Sequence, residues 1–184
     1  MASAESQLQS QFPPEDVRVL VGEISTILRS RNQTLAISEA ACGGLLSAYL
    51  VSVPGASDYY IGGKLVYSLK QRLKLSGWSD DDIRNYMGPS ESVALKLART
   101  AKYELGSTYV LSETGFAGPS TDLHLSDVEN IPVDGHGVGT VYLGLHGPKG
   151  DVSCCFHTNS VDRSYNMTQF AKLGLIFLLE QLKK

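Results

Sequence analysis

The sequence predicts an α/β domain with helices on both faces of a mixed β-sheet. Three observations carry this expectation. Short apolar strand patterns alternate with stretches of helical periodicity through the first two thirds of the chain. Three Gly-containing segments stand out, at 39–44, 54–63 and 114–119, and two of them directly follow expected strands. Two β-rich stretches joined by Gly147-Pro148-Lys149-Gly150 then precede a last helix.

Residues 1–12 are polar and read as a flexible tail, with one domain over 13–184. Pro13-Pro14-Glu15-Asp16 opens a helix, because proline and acids suit a first turn. Val17, Leu20, Val21, Ile24, Ile27 and Leu28 give it one apolar stripe. A strand is expected over 34–38. A helix over 44–53 follows, stopped by Pro54-Gly55. A second strand is expected over 64–68, then a helix over 69–75 ended by Gly77. Ser79 with three aspartates has the form of a capped helix start. Gly88-Pro89-Ser90 begins another helix, striped by Val93, Leu97, Ala101 and Leu105 and stopped by Gly106. A third strand is expected over 109–112. Residues 121–136 read as a polar loop, long for a compact domain. Strands over 138–145 and 151–157 form the closing hairpin. Ser160 is the expected cap of a last helix, striped by Phe170, Leu173, Ile176 or Phe177, and Leu179.

Composition narrows the function. The chain has 184 residues and a net charge of −3, with no basic run. A nucleic-acid partner is therefore not expected, since phosphate binding normally needs a basic face. No apolar stretch reaches the roughly 20 residues that a membrane span needs. Three cysteines, Cys42, Cys154 and Cys155, do not form a disulfide framework. The expectation is a cytoplasmic protein with reduced thiols. Four scattered histidines have no ligand spacing, so neither metal nor cofactor is expected.

In open α/β sheets, ligands sit beyond the carboxyl ends of the strands. The stretch Ser38-Glu39-Ala40-Ala41-Cys42-Gly43-Gly44 is such an exit. Small residues let backbone approach a ligand, and a helix start offers unpaired N–H groups. Each Gly-containing exit is otherwise a plain tight turn. Tyr67, at a strand end, is a hydrogen-bond donor or proton carrier, or an ordinary half-buried strand tyrosine. Arg72 is a fixed cation suited to a carboxylate or phosphate, or else a solvated helix residue. Cys42 is either a nucleophile whose thiol a helix start acidifies, or a small buried side chain. Glu39 orients the turn or takes a proton. Asp122 and His124 lie in the long loop.

Six ordered segments resemble a known family. They are Glu39 with Gly43-Gly44-Leu45; 53–58 through Gly62-Gly63; Val66-Tyr67-Ser68; Thr114-Gly115-Phe116-Ala117-Gly118-Pro119; Val138-Gly139-Thr140-Val141-Tyr142; and Asp162-Arg163. Over residues 15–182 the chain resembles the C-terminal domain of the competence/damage-inducible protein CinA. That family includes nicotinamide mononucleotide amidohydrolases. The resemblance implies a single three-layer α/β/α domain, a small-molecule substrate and no cofactor or metal. Self-association is common in related domains but nothing in this sequence specifies it. The resemblance implies a Ser-Tyr-Lys arrangement in active members, in which serine attacks the carboxamide while lysine and tyrosine manage the proton.

This chain departs from that pattern at the reacting groups. Ala40 occupies the nucleophile position, Arg72 the lysine position, and Tyr67 alone remains. Met167 stands where many members carry an arginine, and a longer, more acidic segment 120–136 replaces a short Gly-rich loop. Ordinary deamidation is therefore not expected. Three alternatives follow. The first is a repurposed enzyme doing non-covalent acid–base chemistry, with Tyr67, Arg72 and Glu39 as working groups. The second is a ligand-binding pseudoenzyme. The third is an amidohydrolase with Cys42 as nucleophile. The expected ligand-contacting residues are Ala40, Gly43, Gly44, Thr114, Gly115, Ala117, Gly118, Ser120 and Arg163.

Overall fold

Alternation along the strands decides which helix covers which face of the sheet. A computed structural model describes residues 12–121 and 137–184. Five strands, β1 (Leu35–Glu39), β2 (Tyr60–Leu65), β3 (Tyr109–Phe116), β4 (Thr140–Gly147) and β5 (Gly150–His157), pair in the order β2-β1-β3-β4-β5. β1 is parallel to β2 and β3, whereas β4 runs antiparallel to β3 and β5. The sheet is therefore mixed, as the sequence predicts.

Leu35 and Ile37 of β1 and Leu111 of β3 point to one face. There they join Val21, Ile24 and Leu28 of α1 (Glu15–Ser30), Leu46 and Leu50 of α2 (Leu45–Val51), and Phe170 and Leu175 of α6 (Arg163–Lys183). The alternate residues Ala36 and Val110 point to the other face and meet Ala98 and Ala101 of α5 (Glu91–Leu105). Two short helices, α3 (Leu69–Leu75) and α4 (Asp80–Arg84), precede α5. Small residues bring α5 unusually close to the sheet. A Cβ added at Gly144 in β4 would lie 2.7 Å from the Ala94 carbonyl carbon.

Several boundaries move for identifiable reasons. β2 spans Tyr60–Leu65 rather than 64–68, because Gly62 and Gly63 interrupt its apolar pattern. Gly63 has a packing reason: its Cβ would sit 2.9 Å from the Ile37 carbonyl oxygen. β3 runs on to Phe116, past the expected end at 112. Glu113 ends the apolar run in sequence, yet its side chain is fully buried in the fold. The cap of α6 is Asp162 rather than Ser160, its carboxylate accepting from the Tyr165 N–H at 2.7 Å. Of the expected tail, only Phe12 is described, stacked on Tyr49 with centroids 5.4 Å apart. Residues 122–136, including Asp122 and His124, lie outside the described residues. No helix among the described residues is long and apolar enough to cross a membrane.

Candidate functional site

The carboxyl ends of β1, β2 and β3 share one edge of the sheet because these three strands are parallel. The residues that leave this edge form several hydrogen-bonded groups: the β1 turn with Glu39 and Glu113, Arg72 with Tyr86 and Thr114, and Arg163 with Tyr67 and Gly118.

At the exit of β1 the chain turns through Gly43 and Gly44, at φ +66° and +101°, before α2. The expectation of unpaired N–H groups here is overturned. Glu113 accepts from the N–H groups of Ala40 (3.2 Å), Ala41 (3.2 Å) and Cys42 (2.9 Å). Glu39 accepts from those of Gly44 (3.0 Å), Leu46 (3.0 Å) and Ser47 (2.8 Å), and from the Ser47 hydroxyl at 2.5 Å. The N–H groups of Gly43 and Leu45 reach the carbonyls of Ala40 and Cys42. Every N–H from 40 to 47 is therefore spent within the chain. The turn is a cradle for two of the protein's own carboxylates rather than for a ligand anion. Burial pushes the Glu113 carboxyl above the usual glutamate range, although the Cys42 and Ala40 N–H groups oppose that rise.

Cys42 shows a second reversal. Its side chain is buried, and desolvation, reinforced by the charges of Glu113 and Glu39, pushes the thiol well above its ordinary value. Its sulfur lies against the Met167 carbonyl at 3.8 Å. An acidified thiol at a helix start is thus not what the fold provides. A carboxylate pair beside a buried thiol disfavours the thiolate, the form that the Cys42 hydrolase reading requires. Gly43 lies on the surface, with Met167 Cε 3.4 Å from where its Cβ would be.

Arg72, on α3, is buried rather than solvated. It donates to the Val66 carbonyl (3.4 Å), the Tyr86 hydroxyl (2.8 Å) and Thr114 Oγ1 (3.2 Å). Its guanidinium carbon also lies 5.5 Å from the Trp78 ring centroid and 5.2 Å from that of Tyr86. These acceptors and ring faces are all neutral, so Arg72 is a buried positive charge with neutral neighbours. Burial pushes the Tyr86 hydroxyl up, with Arg72 opposing.

Tyr67, by contrast, is 59% exposed. Its hydroxyl oxygen accepts from Arg163 at 2.6 Å, and Arg163 also donates to the Gly118 carbonyl at 2.5 Å. Gly118 precedes a cis peptide bond to Pro119. Asn166, fully buried, ties this corner to α6 by donating to the carbonyls of Ala117 and Ser160, both at 2.9 Å. The fold thus joins Tyr67, Gly118 and Arg163 on one side and Arg72 and Thr114 on the other. Gly115 lies in β3 opposite Val141, and its Cβ would sit 2.9 Å from the Val141 Cα. Ser120 is exposed beyond Pro119.

Sequence reading missed four residues of this site: Glu113, Trp78, Tyr86 and Asn166. Only Glu113 had a legible signal. An acid inside an otherwise apolar strand must find donors when the strand is buried.

The model of the CinA C-terminal domain matches residues 18–182. A CinA-like protein of Nostoc sp. is 36% identical over 134 residues, covering 73% of this chain and 29% of the relative. A CinA-like protein of Synechocystis sp. is 36% identical over 140 residues, 76% of this chain and 31% of the relative. The chain thus spans less than a third of the length of these curated relatives. Among solved structures, a competence-damaged protein (CinA) superfamily protein from Escherichia coli superposes with a TM-score of 0.79 at 21% identity, covering 90% of each chain. A competence/damage inducible protein from Agrobacterium tumefaciens gives 0.79 at 20% identity, covering 93% of this chain and 98% of that one. At such identities the structures speak for the fold, while the matched model and the curated relatives speak for ancestry: the chain belongs to the CinA C-terminal domain family.

Proposed function

We propose that this chain is a small-molecule enzyme on the CinA scaffold. Its chemistry is non-covalent acid–base work, a proton transfer, cyclisation or isomerisation, on an anionic metabolite. One observation supports this reading above others: the exit of β1 has no hydroxyl at Ala40, and its N–H groups from 40 to 47 are already taken. Covalent attack on an amide needs an activated nucleophile and donors for the developing oxyanion. This turn supplies neither.

The groups that remain suit a different task. The Tyr67 oxygen accepts from Arg163, so the phenol keeps its own proton to donate to a ligand. Arg72 cannot act as a general base, but a buried guanidinium with neutral partners favours a nearby negative charge. Thr114 joins Arg72 at the strand end. A second reading, a ligand-binding protein without turnover, draws on the packing of Arg72 against the neighbouring Trp78 and Tyr86 rings.

The test begins with a panel of small carboxylates and phosphates, including nicotinamide mononucleotide, screened for a rise in melting temperature. A ligand that binds only the native state must stabilise it. Stabilising compounds are then assayed for turnover. The expected result is no ammonia from nicotinamide mononucleotide, and turnover of a stabilising anion that Tyr67→Phe abolishes while leaving its binding intact. Ammonia release at the rate of an active relative overturns the proposal. So does full turnover by Tyr67→Phe. Binding without any turnover leaves the pseudoenzyme reading in its place.

A further inference from the structure

On the α5 side of the sheet, a cavity of about 840 Å³ lies between α4, α5 and β4. Trp78, Tyr86 and Tyr142, all buried, give it an aromatic wall. The Trp78 and Tyr86 rings lie 5.6 Å apart and are tilted by 60°. Met87 and Val93 add apolar surface. Aromatic walls of this kind hold a flat ring.

The charges around the cavity decide the rest. Of its lining groups, Lys96 pairs with Asp82, Arg99 with Asp151, and Asp81 with Arg84 at 2.7 Å. These pairs cancel. Arg72 does not cancel: it is buried behind the Trp78 and Tyr86 rings, and no carboxylate pairs with it among the described residues. Lys96 Nζ lies 5.2 Å from the centroid of the same Trp78 ring, so two cations flank one indole. Trp78 Nε1 is buried and has no hydrogen-bond partner among the described residues. Native folds rarely leave a buried donor unspent. An aromatic wall, an uncompensated cation and a spare N–H together favour a ligand that is flat, negative and an acceptor.

We infer that this cavity binds a planar organic anion of the aromatic carboxylate class, its ring against the aromatic wall and its carboxylate at Lys96 and the Trp78 N–H. The ligand carboxylate competes with Asp82 for Lys96. The site goes beyond the acid–base reading and stands apart from it, because no step at Tyr67 enters it.

The test is titration of the full chain with benzoate, followed by tryptophan emission. Trp78 is the chain's one tryptophan, so the emission reports on this cavity. Benzoate is expected to change that emission saturably and to raise the melting temperature. Benzamide keeps the ring without the charge, and cyclohexanecarboxylate keeps the charge without the flat ring. Each is expected to bind roughly ten-fold more weakly or worse. Lys96→Gln is expected to weaken benzoate by a similar factor and to leave benzamide unchanged, whereas damage to the fold would weaken both. Asp82→Asn, which removes the competing carboxylate, is expected to tighten benzoate. The inference is overturned if benzoate leaves the emission unchanged at millimolar concentrations, if benzamide binds as well as benzoate, if Lys96→Gln binds benzoate like the parent, or if Asp82→Asn weakens it.

Discussion

Removing the Glu113 carboxylate is expected to destabilise the exit of β1. Glu113→Ala strips the acceptor from three buried N–H groups, those of Ala40, Ala41 and Cys42. A buried donor left without a partner costs about 1–3 kcal/mol, and the three losses are not additive because the turn can relax. Removing a desolvated carboxylate beside Glu39 relieves part of that cost. The net loss is about 2–4 kcal/mol, a fall in melting temperature of roughly 5–15 °C for a chain of this size. Glu113→Gln gives a graded control. One Glu113 oxygen serves Ala40 and Cys42 and the other serves Ala41, so a carboxamide can keep two of the three bonds. Its cost should fall near the lower end, about 1–2 kcal/mol.

The same group makes a pH prediction whose sign follows from its raised folded value. The folded state holds the Glu113 proton more tightly than the unfolded chain. Its contribution is therefore complete below the ordinary value of 4.5 and is lost as pH rises through the folded value. Glu113→Gln should remove that fall. The assay is urea unfolding followed by circular dichroism across pH 4–8. The reasoning is refuted if Glu113→Ala unfolds within about 0.5 kcal/mol of the parent at neutral pH, the scatter expected of an ordinary surface change.

Two further outcomes follow from the packing and the surface charges. Gly144→Ala places a Cβ 2.7 Å from the Ala94 backbone, which cannot rotate away, so the variant should lose about 1–3 kcal/mol of unfolding free energy, read by urea titration; a neutral result would mean that α5 sits further from the sheet. Lys96 and the Ser79 cap hold the Asp82 carboxyl down to about 2, so its stabilising effect is present above the ordinary 3.8 and lost as pH falls through 2. Acid titration of Asp82→Asn should show a shallower loss than the parent over that window, and an identical acid limb would count against it.

How much was legible differs by scale. The alternation of apolar strands and helical stripes was enough for an α/β sheet with both faces covered, because period and burial are local consequences of residue order. The absence of a hydroxyl at Ala40 and the cation at Arg72 are likewise plain in the sequence. Strand ends were less secure where glycine or a buried acid breaks the pattern, as at Gly62-Gly63 and Glu113.

The electrostatics of the site could be decided only by the tertiary fold. Glu113 reaches N–H groups more than 70 residues away in the chain, and Tyr67 meets Arg163 across 96. No local pattern encodes such pairs, because sheet order and helix docking set them. The same helix-start turn that in isolation offers donors to an anion is filled by two carboxylates from the chain itself. The same cysteine that a helix start would acidify has its thiol pushed the other way, by burial and by their charges. Residue order determines which groups are present; only folding determines which charges stand next to one another, and so which of those groups can react.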